Sequence, residues 1–183
     1  FGYEECKASL DASLEKLKTD YVDLMLLHQP FGDAYGAWRA LEEYYEAGKI
    51  KAIGISNFYA DRMVEFANFN RIRPMVNQVE VHPFNQQKEL KKWADKYNIQ
   101  VEAWAPFGEG RKGLFDNEIL KEIGAKYGKT TAQVMLRWHL QRGIVVIPKS
   151  THKERMEENF QVFDFTLSEE DMNKIADMDT ATS

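Results

Sequence analysis

The chain has 183 residues, 44% of them hydrophobic, and a net charge of −5 with acids and bases interspersed along it. That is enough for one domain, residues 1–183, with a proper core, and the lack of a basic face argues against a nucleic-acid partner. Cys6 is the only cysteine. This excludes a disulfide framework and points to a reducing, cytoplasmic setting, while no apolar run approaches the roughly 20 residues of a membrane span. No signal-peptide pattern is read at the start of the chain, so none is expected. It starts at Phe1 rather than Met, so the expectation is a start inside a longer protein.

Helix and strand patterns alternate. Tyr3 to Lys18 places Leu10, Leu14 and Leu17 at helical spacing, and Tyr21 to His28 reads as an apolar strand broken by Pro30 and Gly32. A helix over Tyr35–Ala47 stops at Gly48, a strand runs Ile50–Ser56, and a helix covers Tyr59–Phe69. Met75–Val81 is a strand ending at His82-Pro83, Gln86–Tyr97 is a helix, and Ile99–Trp104 is a strand stopped by Pro106. Two helices follow, Asn117–Tyr127 and Thr131–Gln141. Ile144–Ile147 reads as a fully buried parallel strand. Glu154–Asn159 begins another helix. The last starts at Ser168, where Ser168 and Asp171 have capping-box spacing with Asp in place of Glu, and runs to about Met178.

Alternation of this kind implies right-handed crossovers and a parallel α/β sheet. An open doubly wound sheet fits, and so does part of an eight-stranded barrel. A whole barrel needs about 250 residues, so these five strands fall three strand–helix units short of one.

In both architectures ligands sit at the carboxyl ends of the strands. Those ends carry His28, Ser56-Asn57, Gln78, Trp104 and Lys149-Ser150. His28 is either a cap on the sheet edge or an imidazole that donates to a substrate carbonyl. Ser56 and Asn57 make a turn or fix a planar ligand through hydroxyl and amide. Gln78 stands in a parallel strand covered on both sides, which favours an inward role. Trp104 is core or a flat face for a heteroaromatic ring. Lys149 and Ser150 lie where a strand meets a helix, with Arg155 and Asn159 four residues apart on one helical face; two cations at a helix start make an anion site.

Gly108 to Gly113 matches G-x-G-x-x-G, but Pro106 precedes it and the next helix begins only near Asn117, so a mobile basic surface loop is the better reading. His82, His139 and His152 have no metal-ligand spacing, and no nucleophile elbow is present.

Five segments then resemble the aldo-keto reductases in order and spacing: Tyr21–Pro30, Gly48–Phe58, Asn77–Pro83, Val101–Gly108 and Ile147–Asn159. The resemblance covers nearly the whole chain. It implies a partial (β/α)8 barrel that binds NADP(H) across its carboxyl-end face and reduces a small aldehyde or ketone. By the same resemblance, His28 orients the substrate carbonyl, and Ser56, Asn57 and Gln78 bind the nicotinamide carboxamide. Trp104 stands where the family places an aromatic, usually Tyr, on the nicotinamide ring. Lys149, Ser150 and Arg155 hold the 2′-phosphate and adenosine ribose, and Glu158 and Asn159 contact adenine.

The departures from the family pattern are equally specific. The family's catalytic tyrosine, lysine and aspartate belong to strand–helix units that this chain lacks, so the chain alone is expected to be inactive. Ala105 replaces a common serine beside the stacking aromatic. The alternative expectation is a non-catalytic partial barrel that binds nucleotide or self-associates through open sheet edges.

Overall fold

Asp33 and Thr130 show how local chemistry starts the helices. A computed structural model gives the fold of residues 2–182. In it Asp33 accepts from the Gly36 N–H at 2.8 Å and opens α2 (Ala34–Glu46). Thr130 and Gln133 form a reciprocal capping box at the start of α6 (Thr131–Gln141). The other helices are α1 (Tyr3–Leu17), α3 (Ala60–Phe69), α4 (Lys88–Tyr97), α5 (Glu118–Tyr127), α7 (Lys153–Phe160) and α8 (Glu169–Ala176).

The strands are β1 (Met25–Leu27), β2 (Ile53–Ser56), β3 (Val76–Glu80), β4 (Gln100–Trp104) and β5 (Val145–Val146). Their order in the sheet is β1-β2-β3-β4-β5. A doubly wound sheet reverses its strand order at a switch point. Here space and sequence run in step, as in an arc of a barrel, so the fold is parallel α/β of the barrel type with five of eight strands.

The chain divides into two compact units. The first runs to Gln78 and adds Glu89–Gln100. In it β1 pairs with β2 (Leu27 against Ile55) and β2 with β3 (Ser56 against Gln78), all parallel. Ile53, Ile55, Trp38, Leu41, Met63 and Phe66 are its core. Trp38 satisfies its indole N–H on the Ile72 carbonyl at 2.9 Å. Gly54 is required in β2, because a Cβ there would stand 2.7 Å from the Val76 carbonyl oxygen and 2.6 Å from a Leu26 methyl.

The second unit holds Val79–Lys88 and the chain from Val101 onward. In it β4 pairs with β5 (Ala103 against Val146), and Leu120, Ile123, Val134, Met135, Trp138 and Ile175 are buried. No helix among the described residues is long and apolar enough to cross a membrane.

Three expectations need correction. The strand read over Ile144–Ile147 is shorter and not fully buried: Ile144 is buried, but Val145 in β5 is 43% exposed and Ile147, just beyond its end, 46%, β5 being the last strand of the sheet and paired on one side only. β1 is shorter than Tyr21–His28. Asp23 turns out to an ion pair with Lys51 at 3.3 Å, and Val22 makes only an isolated bridge with Ile50. At Ser168 only half of the capping box forms. Its Oγ accepts from Asp171 N at 3.1 Å, but its own N–H donates to Tyr127 Oη. The Asp171 side chain, one methylene shorter than Glu, instead accepts from Lys126, Tyr127 and the Ser168 hydroxyl.

Candidate active site

The first unit gathers four of the expected residues around the carboxyl ends of β1, β2 and β3. Ser56 is fully buried, and its hydroxyl donates to the Gln78 carbonyl oxygen at 2.9 Å. Asn57 sits in the left-handed region (φ 61), where Asn is among the few residues that settle readily. That conformation sends its N–H to the same Gln78 oxygen at 2.9 Å and its side-chain amide to Ser56 Oγ at 3.3 Å and the His28 carbonyl at 3.5 Å. The Ser56–Asn57 turn is thus tied to β3 and to the end of β1. His28 follows β1 directly and is exposed. A cavity of about 200 Å³ lies against it, lined by apolar Leu10, Met25, Leu26 and Ala37 and by Cys6, whose thiol pKa is pushed up by burial.

Two tyrosines of this unit, Tyr3 and Tyr44, are engaged in structural contacts. Tyr3 donates to Glu43 at 2.6 Å and Tyr44 to Asp11 at 2.6 Å. Burial first, and Asp11 second, push the Tyr44 phenol up to about 12.

The second unit gathers the rest. A cavity of about 520 Å³ is lined by Lys149, Ser150, Arg155, Glu158 and Asn159, with Thr151 and His152. The expected anion site and the expected helical face of Arg155 and Asn159 therefore coincide. Ser150 Oγ accepts from the His152 N–H at 3.1 Å, which shapes the entry to α7. The donor set comprises two cations, hydroxyls and a helix start, a combination suited to a phosphate. Trp104 ends β4 and is half-buried, and its carbonyl accepts from Val81 N at 3.4 Å. Ala105 follows in the left-handed region (φ 47).

Sequence reasoning missed the rest of this cavity's lining. Phe107, Phe115, Thr130, Thr131 and Ala132 also line it. The Thr130-x-x-Gln133 box was the available signal, since S/T-x-x-E/Q marks a helix start. The glycine-rich loop between the two phenylalanines does not present its cations to the cavity. Arg111 pairs with Glu109 at 3.2 Å and Lys112 donates to the Thr182 carbonyl at 3.0 Å.

Two buried histidines stand outside the expected set. His82 Nδ1 accepts from Phe84 N at 3.2 Å, so its proton is on Nε2 and is shared with Glu80 at 3.2 Å. Burial lowers its pKa, against the opposing pull of Glu80. His139 is enclosed entirely, with Nδ1 2.7 Å from the Met135 carbonyl and Nε2 2.9 Å from the Val81 carbonyl. Burial lowers its pKa to about 4. Both carbonyls would welcome an imidazolium, but a charge so far from water costs more than one poorly served carbonyl, and the ring is neutral at pH 7. Among the described residues no group of three or more His, Cys, Asp or Glu is placed to hold a metal ion.

The model of the aldo/keto reductase family matches residues 2–180. The chain belongs to this family. It is 51% identical over 175 residues to the glyoxal reductase of Bacillus subtilis (strain 168), covering 95% of this chain and 63% of that protein. Among solved structures it resembles MGS-M4, an aldo-keto reductase from a Medee basin deep-sea metagenome library (TM-score 0.96, 44% identity, 100% of this chain and 68% of that one). It also resembles a Bombyx mori aldo-keto reductase in complex with NADP (TM-score 0.94, 32% identity, 100% of this chain and 65% of that one). The chain thus spans less than two thirds of the length of the curated relative.

Proposed function

We propose that the whole protein is an NADP(H)-dependent aldo-keto reductase that reduces a small aldehyde or ketone, and that these residues supply its cofactor-binding part. Residues 1–183 are then part of one barrel domain. The observation that carries this reading is the second unit's cavity, where Lys149, Ser150 and Arg155 stand together with Glu158 and Asn159. Lys149 and Arg155 bind the 2′-phosphate, and this selects NADPH over NADH. Glu158 and Asn159 contact adenine. Ser56, Asn57 and Gln78 hold the nicotinamide carboxamide. Trp104 offers the nicotinamide ring a flat face.

When bound, NADPH supplies a hydride to the carbonyl carbon, and a proton reaches the carbonyl oxygen to give the alcohol. His28 orients that oxygen. The proton donor is a tyrosine, supported by a lysine and an aspartate, outside these 183 residues. Support comes from the engagement of Tyr3 and Tyr44 with Glu43 and Asp11. The substrate class follows the glyoxal reductase relative, and the lone cysteine fits a cytoplasmic setting.

The chain on its own oxidises NADPH slowly, if at all, in the presence of glyoxal. It still binds NADPH, and Lys149→Met weakens that binding roughly tenfold, the value of one charge-assisted hydrogen bond. Rapid glyoxal-dependent NADPH oxidation by the purified chain would overturn the division of roles, and unchanged NADPH affinity in Lys149→Met would overturn the phosphate assignment.

A second reading, self-association, draws on a different observation. Val145 is exposed on the last strand and Ile147 just after it, and Phe160 and Phe163 are 77% and 66% exposed further along the chain. A strand edge of this kind pairs with another copy. Light scattering that finds only monomer across a broad concentration range would end this reading.

A further inference from the structure

Thr130 has a hydroxyl with two simultaneous partners. It accepts from the Gln133 N–H at 3.2 Å, capping α6, and lies 2.8 Å from Glu158 Oε1. A hydroxyl has a single proton, and a carboxylate can only accept. With the Gln133 N–H on one lone pair, the proton points at Glu158. Gln133 holds the main chain of the same residue. Its Oε1 accepts from Thr130 N at 3.0 Å, and its Nε2 donates to the Glu158 carbonyl at 3.0 Å. The capping box therefore fixes Glu158 by backbone and by side chain, at a place where Thr130 and Glu158 both line the cavity.

We infer that Thr130 is a positioning residue for base recognition: it engages one oxygen of the Glu158 carboxylate and aims the other at the amino group of an adenine-type base. This rests on the reading of the cavity as the nucleotide end of the cofactor site. The phosphate-binding cations carry no information about the base, since every nucleotide of this class has the same phosphates. The Asn159 amide can donate or accept and so accommodates either base. A carboxylate is acceptor-only. It accepts from the exocyclic amine of adenine and repels the C6 carbonyl oxygen that hypoxanthine carries in its place. Left to its own rotatable bonds, the Glu158 side chain would swing aside and lose that discrimination.

The test is a fluorescence titration of the chain with NADPH and with its hypoxanthine analogue. The parent prefers NADPH by roughly tenfold, the value of one hydrogen bond to a charged group against a repelled acceptor. Thr130→Ser, which keeps hydroxyl and cap, retains the preference. Thr130→Gly is tolerated as a cap but has no hydroxyl; it unfolds near the parent's temperature, and its preference collapses. Thr130→Asp, which caps α6 with an acceptor-only carboxylate that cannot donate to Glu158, collapses it as well and decides the matter should the glycine variant fold poorly, while Glu158→Gln shows that the preference resides in the carboxylate. A purely structural role for Thr130 lowers both affinities together and leaves their ratio intact, which would overturn the inference, as would a parent with no preference. A parent that binds neither nucleotide would overturn the cofactor reading itself.

Discussion

Ser56 donates its hydroxyl proton to the main-chain oxygen of Gln78 at 2.9 Å, across the β2–β3 pair. Asn57 N donates to the same oxygen at 2.9 Å. Because the carbonyl keeps this second donor, Ser56→Ala leaves no orphaned acceptor there. The variant also removes the acceptor of the Asn57 amide at 3.3 Å, so the expected loss is about 1–2 kcal/mol of stability, the net value of two hydrogen bonds. Urea unfolding of parent and variant measures it. A loss above roughly 3 kcal/mol would mean that the hydroxyl anchors the turn by more than these two bonds.

His139 predicts a pH dependence. Its pKa falls from 6.5 to about 4 on burial, so the folded state binds fewer protons than the unfolded state between those values. The sign follows: stability is fully present above pH 6.5 and declines as pH drops toward about 4. The gap is worth roughly 3 kcal/mol at 1.36 kcal/mol per pH unit. His82 contributes in the same direction. Denaturant unfolding from pH 7 to pH 4 should show this slope, and His139→Gln should flatten it. An equally steep slope in the variant would assign the dependence to other groups.

Gly54→Ala tests the packing of β2. The added methyl meets a backbone carbonyl and a packed leucine below 3 Å, so neither β1 nor β3 can yield cheaply. Overpacking of this kind costs on the order of 1–3 kcal/mol, visible as a lowered thermal midpoint. An unchanged midpoint would mean that the strands are less tightly apposed than described.

Lys149 and Arg155 are exposed, so their hold on a phosphate is open to screening. The Debye length falls from about 10 Å at 0.1 M salt to about 3 Å at 1 M. NADPH affinity should therefore drop as salt rises, and the Lys149→Met, Arg155→Met double variant should lose most of that dependence. A flat salt response in the parent chain would argue against a phosphate at this cavity.

Much of this was legible in the sequence, for reasons that differ by residue. Thr131–Gln141 is a helix as read, because its start and its apolar spacing are local. The monotonic strand order was not legible; periodicity says that strands alternate with helices, not which strands become neighbours. Exposure around β5 was misread for the same reason, since Val145 and Ile147 look like core by hydrophobicity alone, and a strand's place at the end of the sheet is not written in its local pattern. That Lys149, Ser150 and Arg155 stand close together was readable from their place at a strand–helix junction, and one cavity is lined by all three. The Thr130–Glu158 bond spans 28 positions and the His139–Val81 contact 58, and no local pattern announces either.

Isothermal titration of the 183-residue chain with NADPH and with NADH tests the central claim most directly. The account predicts measurable binding of NADPH, tighter than NADH by roughly tenfold or more, since the two differ only in the 2′-phosphate that Lys149 and Arg155 are assigned to hold. Equal affinities, or no binding of either, would contradict it.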